Sequence, residues 1–392
     1  MRLTVHEAIS GVAADAWNAL AGDAYPFLRH EFLLAAEQTG CVAEDAGWAP
    51  RHLTLEHGGR LLGAMPLYQK QHSWGEFVFD WAWARAYEQA GLSYYPKLVS
   101  AVPFTPAPSS RLLLADKADA ATACALIEGA IALAERTACS SLHVLFPLEE
   151  ELPALRDAGL MPRKDCQFHW RNCDYSDFDE FLQTFTASKR KKARRDRRRV
   201  SEAGIRFRRL KGADLDTSTW EQVYRLISIT FMRRGSLPYY NLGFFLRLSA
   251  ALPDNILVVL AEHRGEAIAA AVFYESPTTL YGRYWGSSAH HNALHCETCY
   301  YQGIDYCIRE GLKCFEPGTQ GEHKVARGFS PTPVWSMHEV RHPAFQAAIG
   351  EYLGRERAHV EAYMDAIRAH VPFRRAEPQA NLHPDVGSDL PR

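Results

Sequence analysis

The segment Cys314–His338, CFEPGTQGEHKVARGFSPTPVWSMH, concentrates side chains able to move protons and hold anions. A short apolar strand ends at Phe315, and Glu316, Gln320, Glu322, His323, Lys324 and Arg327 follow within twelve residues. Glu316, Glu322 and His323 are candidate general acids or bases, since carboxylates and imidazoles can be tuned to titrate near neutrality. Gln320, Lys324 and Arg327 are candidates for binding a charged carrier or steadying an oxyanion. Gly318 and Gly321 permit backbone conformations closed to other residues and a close approach of ligand to chain. A polar loop that neutralises itself is the structural alternative. In a binding protein the cluster should be paired and closed; in an enzyme it should open into a cleft.

A second constellation is basic. Nine of the eleven positions Lys189–Arg199 are Lys or Arg, in a chain whose 44 basic and 46 acidic residues leave a net charge of −2. On a helix, Arg190, Arg194, Arg197 and Arg198 would share one face, and Lys191, Arg195 and Arg199 another. Like charges at i,i+4 oppose helix formation, and Asp196 is the one acidic residue inside the run. A sequence that tolerates this cost is expected to bind phosphates through Lys191, Lys192, Arg194, Arg195 and Arg198. A polyphosphate headgroup, CoA or the acceptor end of a tRNA would fit; a solvated helix face is the alternative.

Two further segments have weaker chemistry. In Tyr281–Ser288, YGRYWGSS, Gly282 and Gly286 mark a bulge or an exposed backbone, and Tyr284 and Trp285 read as core. Arg283 must be paired if it faces the interior, and it is a candidate substrate or phosphate contact. In His290–Cys299, HHNALHCETC, one CxxC without a second pair makes a poor zinc signal, so no metal is expected. A Walker lysine loop, a GxGxxG after a strand and a GxSxG elbow are all missing.

The elements that must position these groups form a repeat. Leu53–Tyr68 aligns with Val259–Tyr274 at an offset of 206 residues, matching Glu56, His57, Gly59, Ala64 and Tyr68 to Glu262, His263, Gly265, Ala270 and Tyr274. Each copy reads as a β-hairpin. A helix and a buried strand ending in proline follow: Ala120–Arg136 and Leu142–Pro147 in the first half, Glu297–Glu310 and Lys313–Pro317 in the second. The spacing also predicts strands at Cys166–Asn172 and Ile205–Leu210. Helices are expected at Phe178–Ala203, Trp220–Arg233, near Leu242–Ala251 and, as one amphipathic helix or a pair, at His342–His370. The aromatic, Pro-punctuated insert Gln71–Ser110 is a lid or an aromatic sub-core. With 392 residues, two domains suit the length. No 18-residue apolar run and no secretory leader are visible, and nine scattered cysteines fit free thiols, so a cytoplasmic protein is expected.

Several stretches resemble the FemAB-like predicted N-acyltransferases, described as peptidoglycan biosynthesis or recognition proteins. They are HEFLLAAE (30–37), GRLLGAMPLY (59–68), the 80–97 insert, FHWRN (168–172), the basic run, YGRYWG, HCETCYYQGIDYCI and above all FEPGTQGEHKVARGF (315–329). The resemblance covers about Arg29–His342. It implies an α/β protein of two tandem GNAT-like domains packed across a cleft, with a C-terminal helix. Residues 1–165 would form the first, with the insert at 71–110, and 166–345 the second; 346–370 would be helix and 371–392 a disordered tail. The implied activity is direct transfer of an acyl or aminoacyl group from acyl-CoA or aminoacyl-tRNA, as co-substrate, to an amine of a peptide-like or peptidoglycan-precursor acceptor. No tightly bound cofactor is implied. The Q/R-x-x-G-x-G/A loop that cradles CoA in GNAT enzymes is missing before either candidate helix, which weakens a CoA donor and favours aminoacyl-tRNA or another activated acyl group. The rival reading is a non-catalytic peptidoglycan- or RNA-binding protein with the same fold.

Overall fold

Turn chemistry carries the repeat into three dimensions. The first hairpin pairs His52–His57 with Arg60–Met65 and turns at Gly58 (φ 58°) and Gly59 (φ 77°). The second pairs Ile256–His263 with Glu266–Glu275 and turns at Arg264 (φ 54°) and Gly265 (φ 84°). Two successive positive-φ residues match a type I′ turn, whose twist follows that of the strands. Each ladder also slips by one residue at the matching place, between Leu55 and Glu56 and between Ala261 and Glu262. The duplication therefore extends to the bulge.

The computed structural model describes residues 1–116, 119–319 and 321–374. Its main sheet has eleven strands. The second half supplies one flank, in the order Ile205–Lys211, Ile256–His263, Glu266–Glu275, Thr279–Ser287, Cys314–Glu316. The first half supplies the other, running inward as Trp48–Pro50, Tyr68–Lys70, Lys97–Ser100, Ser141–Leu145. Between them lie two exchanged strands. Met161–Arg171 follows the first half but pairs with Cys314 and Phe315 of the second. Ser330–Val340 follows the second half but pairs with Ser141–Leu145 of the first. The two exchanged strands pair with each other from Ser330↔His169 to His338↔Met161. The strand expected at Cys166–Asn172 thus begins at Met161, and the expected boundary at 165/166 falls inside it. Pro66 interrupts the first hairpin, whose outer part joins Arg2–His6 and Leu113–Leu114 in a separate four-stranded sheet.

Several helices depart from expectation. The stretch expected as one helix at Phe178–Ala203 forms two, Phe178–Gln183 and Ala187–Glu202. The helix expected at Glu297–Glu310 starts at Leu294 and contains a π turn over Glu297–Tyr301, a distortion found often at functional sites. The C-terminal helix is a single one, Pro343–Arg368, lying on the exchanged strands. The insert holds the helix Trp81–Gln89 and the strand Lys97–Ser100. Trp83, Tyr87 and Tyr94 pack against Ile349 and Leu353 of the C-terminal helix, so most of the insert is an aromatic sub-core. Fully buried Lys97 anchors it, donating to Ser73 (2.8 Å), Glu76 (2.7 Å) and Asp80. The tail beyond residue 374 lies outside the described residues.

The two glycines of the YGRYWG strand serve different ends. Gly282 sits beside a bulge: Val272 pairs with Tyr284 and Phe273 with Gly282, leaving Arg283 as the extra residue. Gly286 lets the helix Thr217–Met232 lie directly on the strand, for a Cβ there would stand 1.9 Å from the Leu226 carbonyl oxygen. Backbone cannot yield as a side-chain tip can. Gly286→Ala should lower stability by about 2–3 kcal/mol or more, measured by denaturant unfolding. A change below about 0.5 kcal/mol would contradict this packing.

Candidate active site

The polar cluster opens where two strands of the second half part. Thr279–Ser287 and Cys314–Glu316 run parallel and pair only from Thr279↔Cys314 to Tyr281↔Glu316. Pro317 has no N–H with which to extend the ladder. A cavity of about 230 Å³ occupies the gap. Arg283, Tyr284 and Gly318 line it from the parting strands, and His295, Cys299 and Tyr300 from the helix containing the π turn. Phe77, Phe104 and Pro106 of the first half close another side, with Phe231 and Tyr239 beside them. Tyr300 and Phe273 belong to the core on one face of the sheet, Phe104 and Tyr284 to the core on the other. The gap therefore joins the two faces, at the carboxyl end of parallel strands where open α/β sheets place ligands.

The first half has the equivalent parallel pair, Lys97–Ser100 with Ser141–Leu145. There the space is filled. Ser109 N–H donates to the Phe146 carbonyl (3.0 Å), and buried Arg111 donates through Nε to the Leu145 carbonyl (2.7 Å). The same plug, Ala101–Arg111, presents Phe104 and Pro106 to the gap of the second half.

Glu316 ends its strand beside the gap. Its Oε1 lies 4.0 Å from His169 Nδ1, and its buried Oε2 meets no protein partner among the described residues. Burial raises its pKa to about 7, against the pull of Arg283 and Arg171. His169 is fixed from behind: Nε2–H donates to Gln167 Oε1 (3.2 Å), whose amide donates to the Pro106 carbonyl (3.0 Å). Burial and neighbouring cations lower His169 to about 3, so it is neutral. Across the cavity, Tyr300 OH and His323 Nε2 are 2.8 Å apart. Burial lowers His323 and raises Tyr300, which keeps both neutral at pH 7.

The remaining predicted residues divide. Arg283 faces the interior yet is not paired as expected: Nη1 donates to the Gly282 carbonyl (3.2 Å), while buried Nε and Nη2 bond nothing among the described residues. Lys324 is buried and donates to the Gly318 carbonyl at 2.5 Å, so it braces the loop instead of reaching for an anion. Arg327 donates to the His323 carbonyl. Glu322 points away from the gap; its Oε1 accepts from Tyr363 OH (2.9 Å) in a neighbouring chamber of about 370 Å³ that shares Phe77 and Thr319 with the first. Gln320 lies outside the described residues. Sequence reading missed His169 and Tyr300, since each reaches the site from another segment or passes for core, whereas Phe77 and Phe104 belong to the insert expected as a lid or sub-core.

The basic run packs against the π-turn helix. Arg197 bonds Glu297 (3.2 Å) and stacks over Phe178, and Lys192 and Asp196 both act on Cys296. Asp196 is thus not the sole acidic neighbour, as it was in the linear reading. Arg194 pairs with Asp179 (3.0 Å) and Arg198 with Glu202 (3.6 Å), exposed pairs worth little. Among the described residues no carboxylate pairs with Lys191, Lys192 or Arg195, all exposed.

One group could be imagined to hold a cation: His169, Cys314 and Glu316, whose donor atoms lie within 4.8 Å of one another. Arg171, Arg283 and Lys324 surround it, a field that opposes a metal.

These halves, joined by exchanged strands and each built on a hairpin, helix and parallel strand pair, define a tandem GNAT fold. Residues 8–375 match the FemAB-like family, described as peptidoglycan biosynthesis/recognition, and the chain belongs to it. Among solved structures it is similar to FemX, at 12% identity and a TM-score of 0.54, covering 89% of this chain and 100% of that one. It is also similar to the C-terminal domain of a putative lysylphosphatidylglycerol synthetase from Agrobacterium fabrum, at 9% identity and a TM-score of 0.55, covering 87% and 95%. No curated protein matches significantly. No helix among the described residues is long and apolar enough to cross a membrane.

A titration follows from Glu316. Its folded pKa of about 7 exceeds the ordinary 4.5, so folding binds a proton and the stabilisation is complete below about pH 4.5. It is lost as pH rises towards 7, at up to about 1.4 kcal/mol per pH unit. Glu316→Gln removes that dependence. The stability of wild type relative to Glu316→Gln should fall between pH 4.5 and 7; a flat difference would contradict the burial of an uncompensated carboxyl group. Elemental analysis of the purified protein should find no stoichiometric zinc, and one zinc per chain would reverse the reading of the His169–Cys314–Glu316 group.

Proposed function

We propose that the chain is an N-acyltransferase. It would move an acyl or aminoacyl group directly from a phosphate-bearing carrier to an amine of a peptide-like, peptidoglycan-precursor acceptor. The observation that carries this reading is the gap through the sheet of the second half, which lets two substrates meet from opposite faces. Membership of a family described by peptidoglycan biosynthesis/recognition, and the likeness to FemX, support the acceptor class. On one face, Lys191, Lys192 and Arg195 receive the carrier's phosphates. Aminoacyl-tRNA is the preferred donor over acyl-CoA, because no CoA-type loop precedes the Leu294–Glu310 helix. On the other face, the first half's plug and insert wall the acceptor.

The roles follow from the geometry. An acceptor amine is protonated at pH 7 and must lose protons to attack, and Glu316, at about 7, is poised to take one. Tyr300, held protonated and bonded to His323, is placed to protonate the departing oxygen or sulfur. Arg327 and Lys324 hold the loop that carries His323, as positioning residues. Glu322, turned towards Tyr363, is not assigned to the chemistry.

Purified protein incubated with labelled aminoacyl-tRNA or acyl-CoA and a peptidoglycan-precursor peptide should transfer label to the amine. Glu316→Gln and Tyr300→Phe should each lower turnover by about 10²–10⁴-fold. Retention of full turnover by both variants would remove these assignments. Lys191, Lys192 and Arg195 changed together to Gln should weaken donor binding and flatten its log–log salt dependence by about two to three. An unchanged slope would place the donor elsewhere.

A further inference from the structure

Arg283 has the part of its guanidinium best suited to a planar anion left unused. Nη1 is engaged by the Gly282 carbonyl, but Nε and Nη2, the two donors that form a bidentate fork, are buried and bond no atom among the described residues. The guanidinium sits 5.2 Å from the Phe27 ring and 5.7 Å from the Tyr281 ring. Tyr25 packs edge-on to Tyr281 and Tyr274 edge-on to Phe27, and both of their hydroxyls are also buried without a partner. So is Glu316 Oε2. Five buried polar atoms with nothing to bond, gathered at one place, are unusual enough to require an account. Arg283 lines the gap, and its cage is completed by first-half residues on the face away from the basic helix.

We infer that the Nε–Nη2 edge of Arg283 receives a carboxylate of the acceptor, so that the acceptor is an amino acid or a peptide whose carboxyl group is free. This rests on the transferase reading for the word acceptor. A carboxylate presents two oxygens in the plane and at the spacing that such a fork matches. Arg283 and Arg234 both line the gap, and the planar fork of Arg283 matches a carboxylate, while the carrier's phosphates go to the basic helix on the opposite face. The phenols of Tyr25 and Tyr274 can add donors to the same oxygens. Glu316 Oε2 then faces a ligand that carries an amine as well, and the charges of a zwitterion match those of the site. The walls of Phe77, Phe104, Phe231 and Tyr239 fit an apolar body.

The test needs no donor. Binding to the intact protein is measured by calorimetry for L-leucine against L-leucinamide, and for alanyl-leucine against alanyl-leucinamide. Each amide keeps the amine and loses the carboxylate. The acid should bind about 10–100-fold more tightly than the amide in at least one pair, the range of a charge-assisted fork. Preference within the first pair marks a free amino acid, and within the second a peptide terminus. Arg283→Gln should abolish the preference, and Arg283→Lys, which keeps the charge without the fork, should lose most of it. Equal affinity for acid and amide in both pairs, or no binding of any of the four by the intact protein, overturns the inference whether or not the variants fold. Acid-selective binding without label transfer from any donor would sink the transferase reading and leave the carboxylate site standing. Transfer without acid selectivity would do the reverse.

Discussion

The pairing of the two exchanged strands holds the molecule together and sets the site. Each half of a duplicated α/β unit would end in an open sheet edge, and unpaired edges invite uncontrolled association. Here each half covers the other's edge. Met161–Arg171 pairs along Ser330–Val340, and the outcome is one continuous sheet in place of two. The linkage also delivers His169 to Glu316, and Gln167 to the first half's Pro106. A residue from either half alone would not complete the pocket.

The two copies have diverged around the same architectural opportunity. A parallel strand pair that parts at its carboxyl end creates a gap in each half. In the first, Arg111 and the Ala101–Arg111 segment fill it with backbone and buried hydrogen bonds. In the second, Pro317 ends the ladder and the gap stays open. The filled copy still contributes, because its plug is a wall of the open one. Several buried groups with shifted titration lie around the second gap. Glu316, His169, His295 and Lys324 are all displaced by burial among cations. The first half has an equally charged interior around Lys97, where burial raises Glu76 and lowers Lys70 and His143, but there Glu76 and Asp80 both pair with the lysine. Its role is to anchor the insert.

Much of the fold was legible in local pattern. The Glu-His-x-Gly match, five residues in sixteen at a constant offset, reported a shared turn and bulge. The helix expected near Leu242–Ala251 spans those residues. The loop after Phe315 was legible as a polar cluster because Gly and charged residues alternate there without a core pattern. What stayed hidden was non-local. Strand exchange leaves no mark on hydrophobic periodicity, since a strand reads alike whichever edge it joins. The partners of Arg194 and Arg197, Asp179 and Glu297, lie outside the run in sequence. Thr184–Thr186, which divides the predicted helix, contains no proline or glycine to announce the break. The direction of Glu322 was hidden for a related reason: its loop turns it towards Tyr363 of the C-terminal helix, a contact between segments far apart in the chain.

The proposed function requires that the substrates meet in the open gap of the second half. The most direct measurement is a crystal structure of the protein soaked with a hydrolysis-resistant 5′-phosphorylated 3′-aminoacylamino-adenosine and, separately, with acetyl-CoA. The account predicts that one of them threads between Thr279–Ser287 and Cys314–Glu316, its acyl end within reach of Glu316 and Tyr300 and its phosphate side towards Lys192. Ligand seated in the first half, at the plug formed by Arg111, with the second gap left empty, would contradict it.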